Sequence, residues 1–291
     1  MLGQNDKRRG LIEALWNIKL PPLVMGILNV TPDSFFDGGK FLDTEVAVEH
    51  ALRMFEDGAQ IVDVGGESTR PCAKPVDVEE ELRRVIPVIE RLAQRTEMPI
   101  SVDTRKARVA KSAIEAGAIM VNDISGFTYD ERMIEVLIAY KPLAIAMHMR
   151  GTPEDMQSRV RYENLIDDIR RELMERVDRA LQAGFPKENI LIDPGIGFAK
   201  TYKQCLEILK NLEAFCSLGF PVVVGPSRKS FVGVVLNKER PEDRLFGTAA
   251  AVAISVLNGA RVIRVHDVPE MVDVVRMAHS IKYAGSERDQ R

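Results

Sequence analysis

Short apolar runs recur along the chain, and each is too short to form a helix of ordinary length. Eight such runs, rich in Ile and Val, lie at 23–28, 60–64, 99–102, 118–121, 143–148, 190–192, 221–224 and 261–265. Parallel strands that are buried on both faces show such nearly continuous apolar runs rather than alternation. The pattern therefore predicts eight buried parallel strands.

The segments between these runs predict amphipathic helices. In 163–183, apolar residues recur every four positions among charged residues, and a similar stripe occupies 267–283. Such a stripe is the face that a surface helix turns toward a core. The segment 78–95 is also periodic, although Pro87 should kink this helix or mark a late start.

Eight strands alternating with helices favour an α/β fold, a single (β/α)8 TIM barrel, for which ~250 residues is typical. We assign the barrel to 21–284, an N-terminal extension to 1–20 and a tail to 285–291. An open doubly wound sheet is the main alternative. That fold commonly carries a GxGxxG turn after its first strand, and the sequence has no such match.

Composition narrows the class of protein. The 40 Lys and Arg residues nearly balance the 43 Asp and Glu residues, which argues against nucleic acid as a partner. No run reaches the ~20 apolar residues that would span a bilayer. Cys72, Cys205 and Cys216 form no CxxC pair, so we interpret them as reduced thiols of a soluble, cytoplasmic protein.

Polar or charged residues follow every predicted strand closely. In chain order they are Asn29, the segment from Asp63, Asp103, Asn122 with Asp123, His148, Asp193, Ser227 to Lys229, and Arg264 with His266. The active site of a (β/α)8 barrel gathers at these strand ends. Taken singly, Asn29 or Asp103 could cap a helix and Asp193 could form a turn. Eight such polar sites in succession predict that these groups bind a ligand or contact each other.

The chemistry of these groups changes around the barrel. Asp103, Asn122 and Asp193 suit a flat heterocycle with N–H donors, because a carboxylate can accept two parallel hydrogen bonds. The last two strands carry a cationic group: Arg228, Lys229, Arg264 and His266. Loops after these strands form the usual phosphate site of the fold. The spacing of acidic, His and Cys residues offers no tight transition-metal site, but Mg²⁺ shared with phosphate oxygens fits.

Eight strings in order carry a family resemblance. They are "MGILNVTPDSFFDGG", "DVGGESTRP", "SVDTR", "NDIS", "MHM", "LIDPGIGF", "GPSRKS" and "RVHDV", from about 23 to 275. Together they resemble the dihydropteroate synthase family of the folate pathway. The resemblance implies a transferase that joins 6-hydroxymethyl-7,8-dihydropterin diphosphate to 4-aminobenzoate, giving 7,8-dihydropteroate and diphosphate.

The resemblance also implies roles for the strand-end residues. Four of them would hold the pterin ring: Asp103, Asn122, Asp193 and Lys229. Asn29, Arg264 and His266 would hold the diphosphate, with Asn29 also reaching Mg²⁺ as the cofactor. Ser230 would be a further substrate contact. Lys229, Arg264 and His266 would carry catalysis together with two residues of the loops.

Loop residues would complete the site. Thr69 resembles a further substrate contact. Phe35 and Pro71 match positions that line the aminobenzoate site, where the sulfonamide sensitivity of the family is set. Asp37 and Arg70 resemble the catalytic loop pair that helps close the site.

Two other functions remain open from the residues. A methyltetrahydrofolate:corrinoid methyltransferase shares the pterin-binding barrel but expels no diphosphate, so "SRKS" and "RVH" argue against it. A pterin-binding paralogue without turnover is the other alternative. The resemblance further implies a homodimer that assembles through outer helices of the barrel.

Overall fold

The computed structural model describes residues 4–31, 40–71 and 73–285. Its strands are β1 (Leu23–Asn29), β2 (Ile61–Gly65), β3 (Ile100–Asp103), β4 (Met120–Asp123), β5 (Leu143–Met147), β6 (Ile190–Asp193), β7 (Val223–Val224) and β8 (Val262–Val265). All pair in parallel, in the order β6-β5-β4-β3-β2-β1-β8-β7. A bridge between Ile192 and Val222 joins the two edges. The predicted eight-stranded barrel is confirmed.

Helices surround this barrel. They are α1 (Gln4–Trp16), α2 (Lys40–Glu56), α3 (Val78–Arg95), α4 (Ala107–Ala116), α5 (Met133–Tyr140), α6 (Leu165–Gln182), α7 (Tyr202–Lys210), α8 (Glu213–Cys216), α9 (Ser230–Leu236), α10 (Leu245–Leu257) and α11 (Val268–Lys282). Of the two expectations for Pro87, a kink or a late start of α3, the late start is wrong. Asp77 caps its first turn by accepting a hydrogen bond from the Glu80 backbone N–H at 2.8 Å, and the helix runs on through Pro87.

The N-terminal segment closes one end of the barrel. Leu11 and Leu15 of α1 are buried in one cluster with interior residues of the strands, among them Met25 and Leu191. The Arg261 guanidinium donates to the backbone carbonyls that end α1, including the Leu15 oxygen at 3.0 Å. Those carbonyls lack helical partners, so a cation there satisfies them and complements the helix dipole. The functional groups must therefore lie at the opposite end.

Strand register brings the site residues to that opposite end. Asn29 on β1 pairs with Gly65 on β2, Gly65 with Asp103 on β3, and Asp103 with Asn122 on β4. These positions form one level across four neighbouring strands. Among the described residues, none of the helices has the length and apolarity that a membrane crossing needs.

Candidate active site

The deepest part of the site is a buried network around Arg264. Its Nε donates to Asp63 Oδ2 at 2.7 Å, and its Nη2 donates to Asp103 Oδ2 at 2.8 Å. The Asn122 amide donates to the same Asp63 oxygen at 2.9 Å. One guanidinium thus links β8 to β2 and β3, and one carboxylate links β2 to β4.

The protonation of Asp103 reflects this environment. Burial raises the pKa of Asp103 to about 7; the charge of Arg264 opposes that rise, and the negative charge of Asp63 supports it. A carboxyl that titrates near neutrality can gain or lose a proton when a ligand arrives. A perturbed carboxyl in a cleft of this kind marks a candidate binding group.

Asp193 and Lys229 form the other side of the cleft. Asp193 Oδ1 accepts the Gly195 backbone N–H at 2.6 Å. The Lys229 ammonium donates to the Ile196 carbonyl and lies 4.6 Å from the centre of the Phe198 ring. Burial lowers the pKa of Lys229 to about 8, while the Asp193 charge opposes that change. Burial also raises the pKa of Asp193, against the charge of Lys229.

His266 stands at the cationic rim of the site. Its Nδ1 lies 3.0 Å from Ser227 Oγ, and its backbone N–H donates to the same oxygen at 3.1 Å. Burial lowers the pKa of His266 to about 3, and the charges of Arg264 and Arg228 lower it further, followed by a smaller contribution from Arg70. His266 is therefore neutral, and it is not itself one of the cations that the sequence predicted.

The neighbouring Arg228 is only partly available to a ligand. Its guanidinium pairs with both carboxylate oxygens of Asp267, with a distance of 3.0 Å from Nε to Oδ2. The pairing holds the side chain beside the rim but neutralises much of its charge. Lys229 and Arg264 are the cations next to Asp193 and Asp103, and Arg264 is itself paired with Asp63 and Asp103.

The remaining predicted residues lie around the opening. A methyl carbon added to Gly65 would lie 3.7 Å from Asn29 Oδ1 and equally far from Asp103 Oδ2, so this glycine leaves space between them. Thr69 is half-buried, whereas Arg70, Pro71 and Ser230 are exposed. The predicted positions Phe35 and Asp37 lie outside the described residues.

Comparison with known proteins identifies the family of this chain. The family described as pterin binding enzyme matches residues 25–266. The dihydropteroate synthase of a Synechocystis strain is 46% identical over 258 residues, which cover 89% of this chain and 89% of that protein. The chain belongs to the dihydropteroate synthase family. The predicted activity, a transferase of folate synthesis, is confirmed at that level.

Solved structures of the family agree in fold. Dihydropteroate synthase of Xanthomonas albilineans with 4-aminobenzoic acid has a TM-score of 0.85 and 43% identity, over 91% of this chain and 94% of that one. The same enzyme in complex with 7,8-dihydropteroate has a TM-score of 0.82 and 40% identity, over 91% and 95%. Both matches extend over nearly the whole dihydropteroate synthase barrel described above.

Two strand-end groups do not face a shared ligand site, contrary to the sequence expectation. His148 is fully buried, with Nε2 3.0 Å from Glu172 and Nδ1 3.0 Å from the Lys200 ammonium. Asp123 is buried and accepts hydrogen bonds from its own turn, from Ser125 N–H at 2.7 Å and its hydroxyl at 2.6 Å. Asp123 therefore holds its own turn, and His148 is held between Glu172 and Lys200.

Asp63 belongs to the site, although the sequence did not identify it as a site residue. It entered only as the first residue of a motif, yet it touches both Arg264 and Asn122. The available signal was a carboxylate inside the apolar run "QIVDV". A charge buried within a strand needs a partner of opposite charge, and here that partner, Arg264 on β8, lies six strands later in the chain.

Proposed function

We propose that this site joins a dihydropterin diphosphate to 4-aminobenzoate, releasing diphosphate and 7,8-dihydropteroate. The observation that carries the proposal is the division of one strand-end cleft into two chemistries. Its floor holds Asp103, Asn122 and Asp193, and its rim holds His266 among arginines. A substrate with an N–H-rich ring and an anionic tail matches that division.

The pterin ring would occupy the acidic floor. Carboxylates accept hydrogen bonds from paired N–H donors, such as those of an amino-pyrimidinone edge, with charge-assisted strength. Asp103 and Asp193 are both buried, so these bonds would form in a low-dielectric cleft, where they are stronger than in water. The Lys229 ammonium, held between the Ile196 carbonyl and the Phe198 ring, would donate to an acceptor of the ring.

The diphosphate would bind beside His266. In the tautomer that fits this role, neutral His266 accepts a hydrogen bond from the Ser227 hydroxyl at Nδ1 and carries its own proton on Nε2. That N–H can donate to a phosphate oxygen, and the nearby arginine charges would favour the anion. Cleavage of the C–O bond would then leave a methylene cation that the electron-rich pterin stabilises.

Asn29 fits a supporting role for Mg²⁺. Its amide oxygen is a hard ligand at the site opening, and no group of three acidic, His or Cys residues suited to a metal occurs in the described parts of the chain. The ion would therefore be held by Asn29, water and the substrate's phosphate oxygens. When bound, Mg²⁺ would supply neutralisation of the charge that develops on the leaving diphosphate.

The second substrate would enter over the loop after β2. Thr69 is half-buried there, with Arg70 and Pro71 exposed beside it. An aniline nitrogen attacks a cationic methylene without a strong base, and the proton leaves after the C–N bond has formed. The loop therefore needs to orient the amine and exclude water, which would otherwise trap the cation as an alcohol.

A homodimer is also part of the proposal. Helices α7, α9 and α10 line an apolar groove of about 510 Å³, which includes Phe231, Val235 and Ile254. Phe246 on α10 exposes 84% of its surface. Contiguous apolar surface of this kind marks an interaction site, and a second copy of the chain would cover it.

The free thiols of Cys205 and Cys216 support the cytoplasmic prediction.

Binding of two ligands, one with and one without the diphosphate, tests the roles of the floor and the rim separately. Wild type, Asn122→Ala, His266→Asn and the distant control His279→Asn are titrated with 6-hydroxymethyl-7,8-dihydropterin and with its diphosphate ester. We expect Asn122→Ala to weaken both ligands by at least tenfold, since the ring is common to them. His266→Asn should weaken only the ester, and His279→Asn neither.

The opposite pattern contradicts the assignment. If His266→Asn weakens the diphosphate-free ligand as much as the ester, the histidine does not serve the leaving group. If Asn122→Ala binds both ligands as wild type does, the floor is not the pterin site.

A further inference from the structure

Asp63 lies at the centre of the network around Arg264. It is fully buried on β2, two residues before the strand ends. Its Oδ2 accepts from Arg264 and from Asn122, while its Oδ1 is buried with no hydrogen-bond partner in the described parts of the chain. A buried carboxylate with one oxygen unsatisfied costs stability, so its retention requires another explanation.

We propose that Asp63 is a positioning residue, which sets the direction of hydrogen bonding that Asn122 and Arg264 present to the pterin. The proposal rests on the function proposed above and names a residue outside the predicted contact set. Asp63 itself need not touch the substrate, because it acts through two side chains that line the proposed pterin site.

The amide of Asn122 shows the first effect. An ionised carboxylate can only accept hydrogen bonds, so Asn122 must turn its NH₂ group toward Asp63. The 2.9 Å bond therefore leaves the Asn122 carbonyl oxygen as the group presented to a ligand. A ligand donor fits that oxygen, whereas an acceptor placed there would be rejected. Asp63 thereby contributes to specificity for an N–H donor on the pterin.

The guanidinium of Arg264 shows the second effect. Two bonds, from Nε to Asp63 and from Nη2 to Asp103, fix the plane of the group across the floor. Because a guanidinium is rigid and planar, two fixed donors determine where Nη1 and the flat face point. Without Asp63, Arg264 would keep a single anchor and could rotate about it.

The charge of Asp63 has a third effect on Asp103. The charged groups that act on Asp103 come from several elements: Arg264 on β8, Asp63 on β2, Glu81 on α3 and Asp123 on β4. Of these, Arg264 alone favours the ionised form. Removing the Asp63 charge therefore lowers the pKa of Asp103, and a ligand that needs ionised Asp103 binds down to a lower pH.

The test compares Asp63→Asn with Ser101→Ala. Ser101 pairs with Asp63 in the strand register, and its buried hydroxyl has no hydrogen-bond partner among the residues that the structure describes, so its loss is a matched change at the same depth. Binding of 6-hydroxymethylpterin is measured by calorimetry between pH 5 and pH 9. In Asp63→Asn, we expect binding at pH 8 to weaken at least tenfold. The acid midpoint of binding should fall by about one pH unit.

Kinetics add a readout that simple damage would not give. At saturating dihydropterin diphosphate, the KM for 4-aminobenzoate should stay within twofold of wild type in both variants. Ser101→Ala should resemble wild type throughout. Wild-type pterin affinity in folded Asp63→Asn, an unmoved acid midpoint, or an equal loss in Ser101→Ala would overturn the proposal.

A measurement on the wild type covers the case in which Asp63→Asn does not fold. The Arg264 Nε–H resonance, assigned by its loss in Arg264→Lys, should be protected from exchange in the free protein and should shift when pterin is added. A rapidly exchanging or unresponsive Nε–H would refute the positioning role. If wild type binds no pterin at all, the proposed function is wrong. Protection of the Nε–H proton would then still show that Arg264 contacts Asp63.

Discussion

Replacing Asp103 by Asn should change stability and pterin binding in opposite directions. In the folded protein the pKa of Asp103 rises from 3.8 to about 7, so the ionised form is disfavoured there. A raised pKa means that the folded state holds the proton more tightly than the unfolded state. Stability from this group is therefore present at low pH and is lost as pH rises from about 4 to about 7.

The magnitude follows from the same values. A change from 3.8 to about 7 corresponds to about 4 kcal/mol at pH 8, at 1.36 kcal/mol for each pH unit. The Asn side chain keeps an acceptor for Arg264 but carries no charge, so we expect Asp103→Asn to be about 2–4 kcal/mol more stable than wild type at pH 8. Near pH 4 the two proteins should differ little, since Asp103 is already neutral when folded.

Binding should show the reverse. Loss of two hydrogen bonds to a charged acceptor, at about 1.5–3 kcal/mol each, predicts pterin affinity weaker by about 10²–10⁴-fold. Urea unfolding followed by circular dichroism at pH 4.5 and pH 8 measures the first effect, and pterin titration measures the second. The reasoning is refuted if Asp103→Asn is less stable than wild type at pH 8, or if its pterin affinity stays within tenfold.

Three further changes test other parts of the molecule. Leu15→Ala truncates a side chain that is 1% exposed beneath the barrel. It should lower the free energy of unfolding by about 3 kcal/mol and Tm by about 6–12 °C in calorimetry. An unchanged Tm would mean that α1 is not docked there. Its kcat at 25 °C should match wild type. Removing Mg²⁺ with EDTA should lower diphosphate release at least 100-fold and leave binding of the diphosphate-free pterin intact; unaffected release would exclude the proposed ion. Val235→Asp, 53% exposed on α9, should yield monomers in sedimentation, whereas Val46→Asp, 46% exposed on α2, should not; identical behaviour would place the interface elsewhere.

The sequence predicted most of the fold because short, uninterrupted apolar runs that alternate with helices commonly form buried parallel strands. A strand such as "AIMV" is apolar on both faces, and β4 duly lies between β3 and β5 with helices outside. Strand ends then located the site, since parallel register brings Asn29, Asp103 and Asn122 to one level. Local periodicity also gave α6 and α11 to within two residues.

Side-chain direction was beyond such patterns. His148 and Asp193 both follow apolar strands, yet His148 turns outward to Glu172 while Asp193 lies in the cleft near Lys229. The sequence placed Arg264 in a cationic group at the last two strands, and only the structure shows that Asp63 and Asp103 pair with it. These outcomes depend on partners far away in the chain, which no local pattern encodes.

The clustering of charge explains why the site costs stability. The carboxyl groups of Asp63, Asp103 and Asp193 are buried beside the half-buried Arg264 and Lys229. Burial raises the pKa values of Asp103 and Asp193 and lowers that of Lys229, so it favours the neutral form of each group. A ligand that donates to the acids and accepts from Lys229 would relieve this penalty. The free site is thus prepared for a donor-rich ring at the expense of the empty protein's stability.

The most direct test of the account is diphosphate release by the purified protein. Wild type and Lys229→Met are supplied with Mg²⁺ and 6-hydroxymethyl-7,8-dihydropterin diphosphate, with and without 4-aminobenzoate, and both diphosphate and dihydropteroate are quantified. We expect wild type to form the two products in equal amounts when 4-aminobenzoate is present, and Lys229→Met to lose at least 99% of this turnover. Tight pterin binding by wild type without any dihydropteroate formation would contradict the synthase assignment.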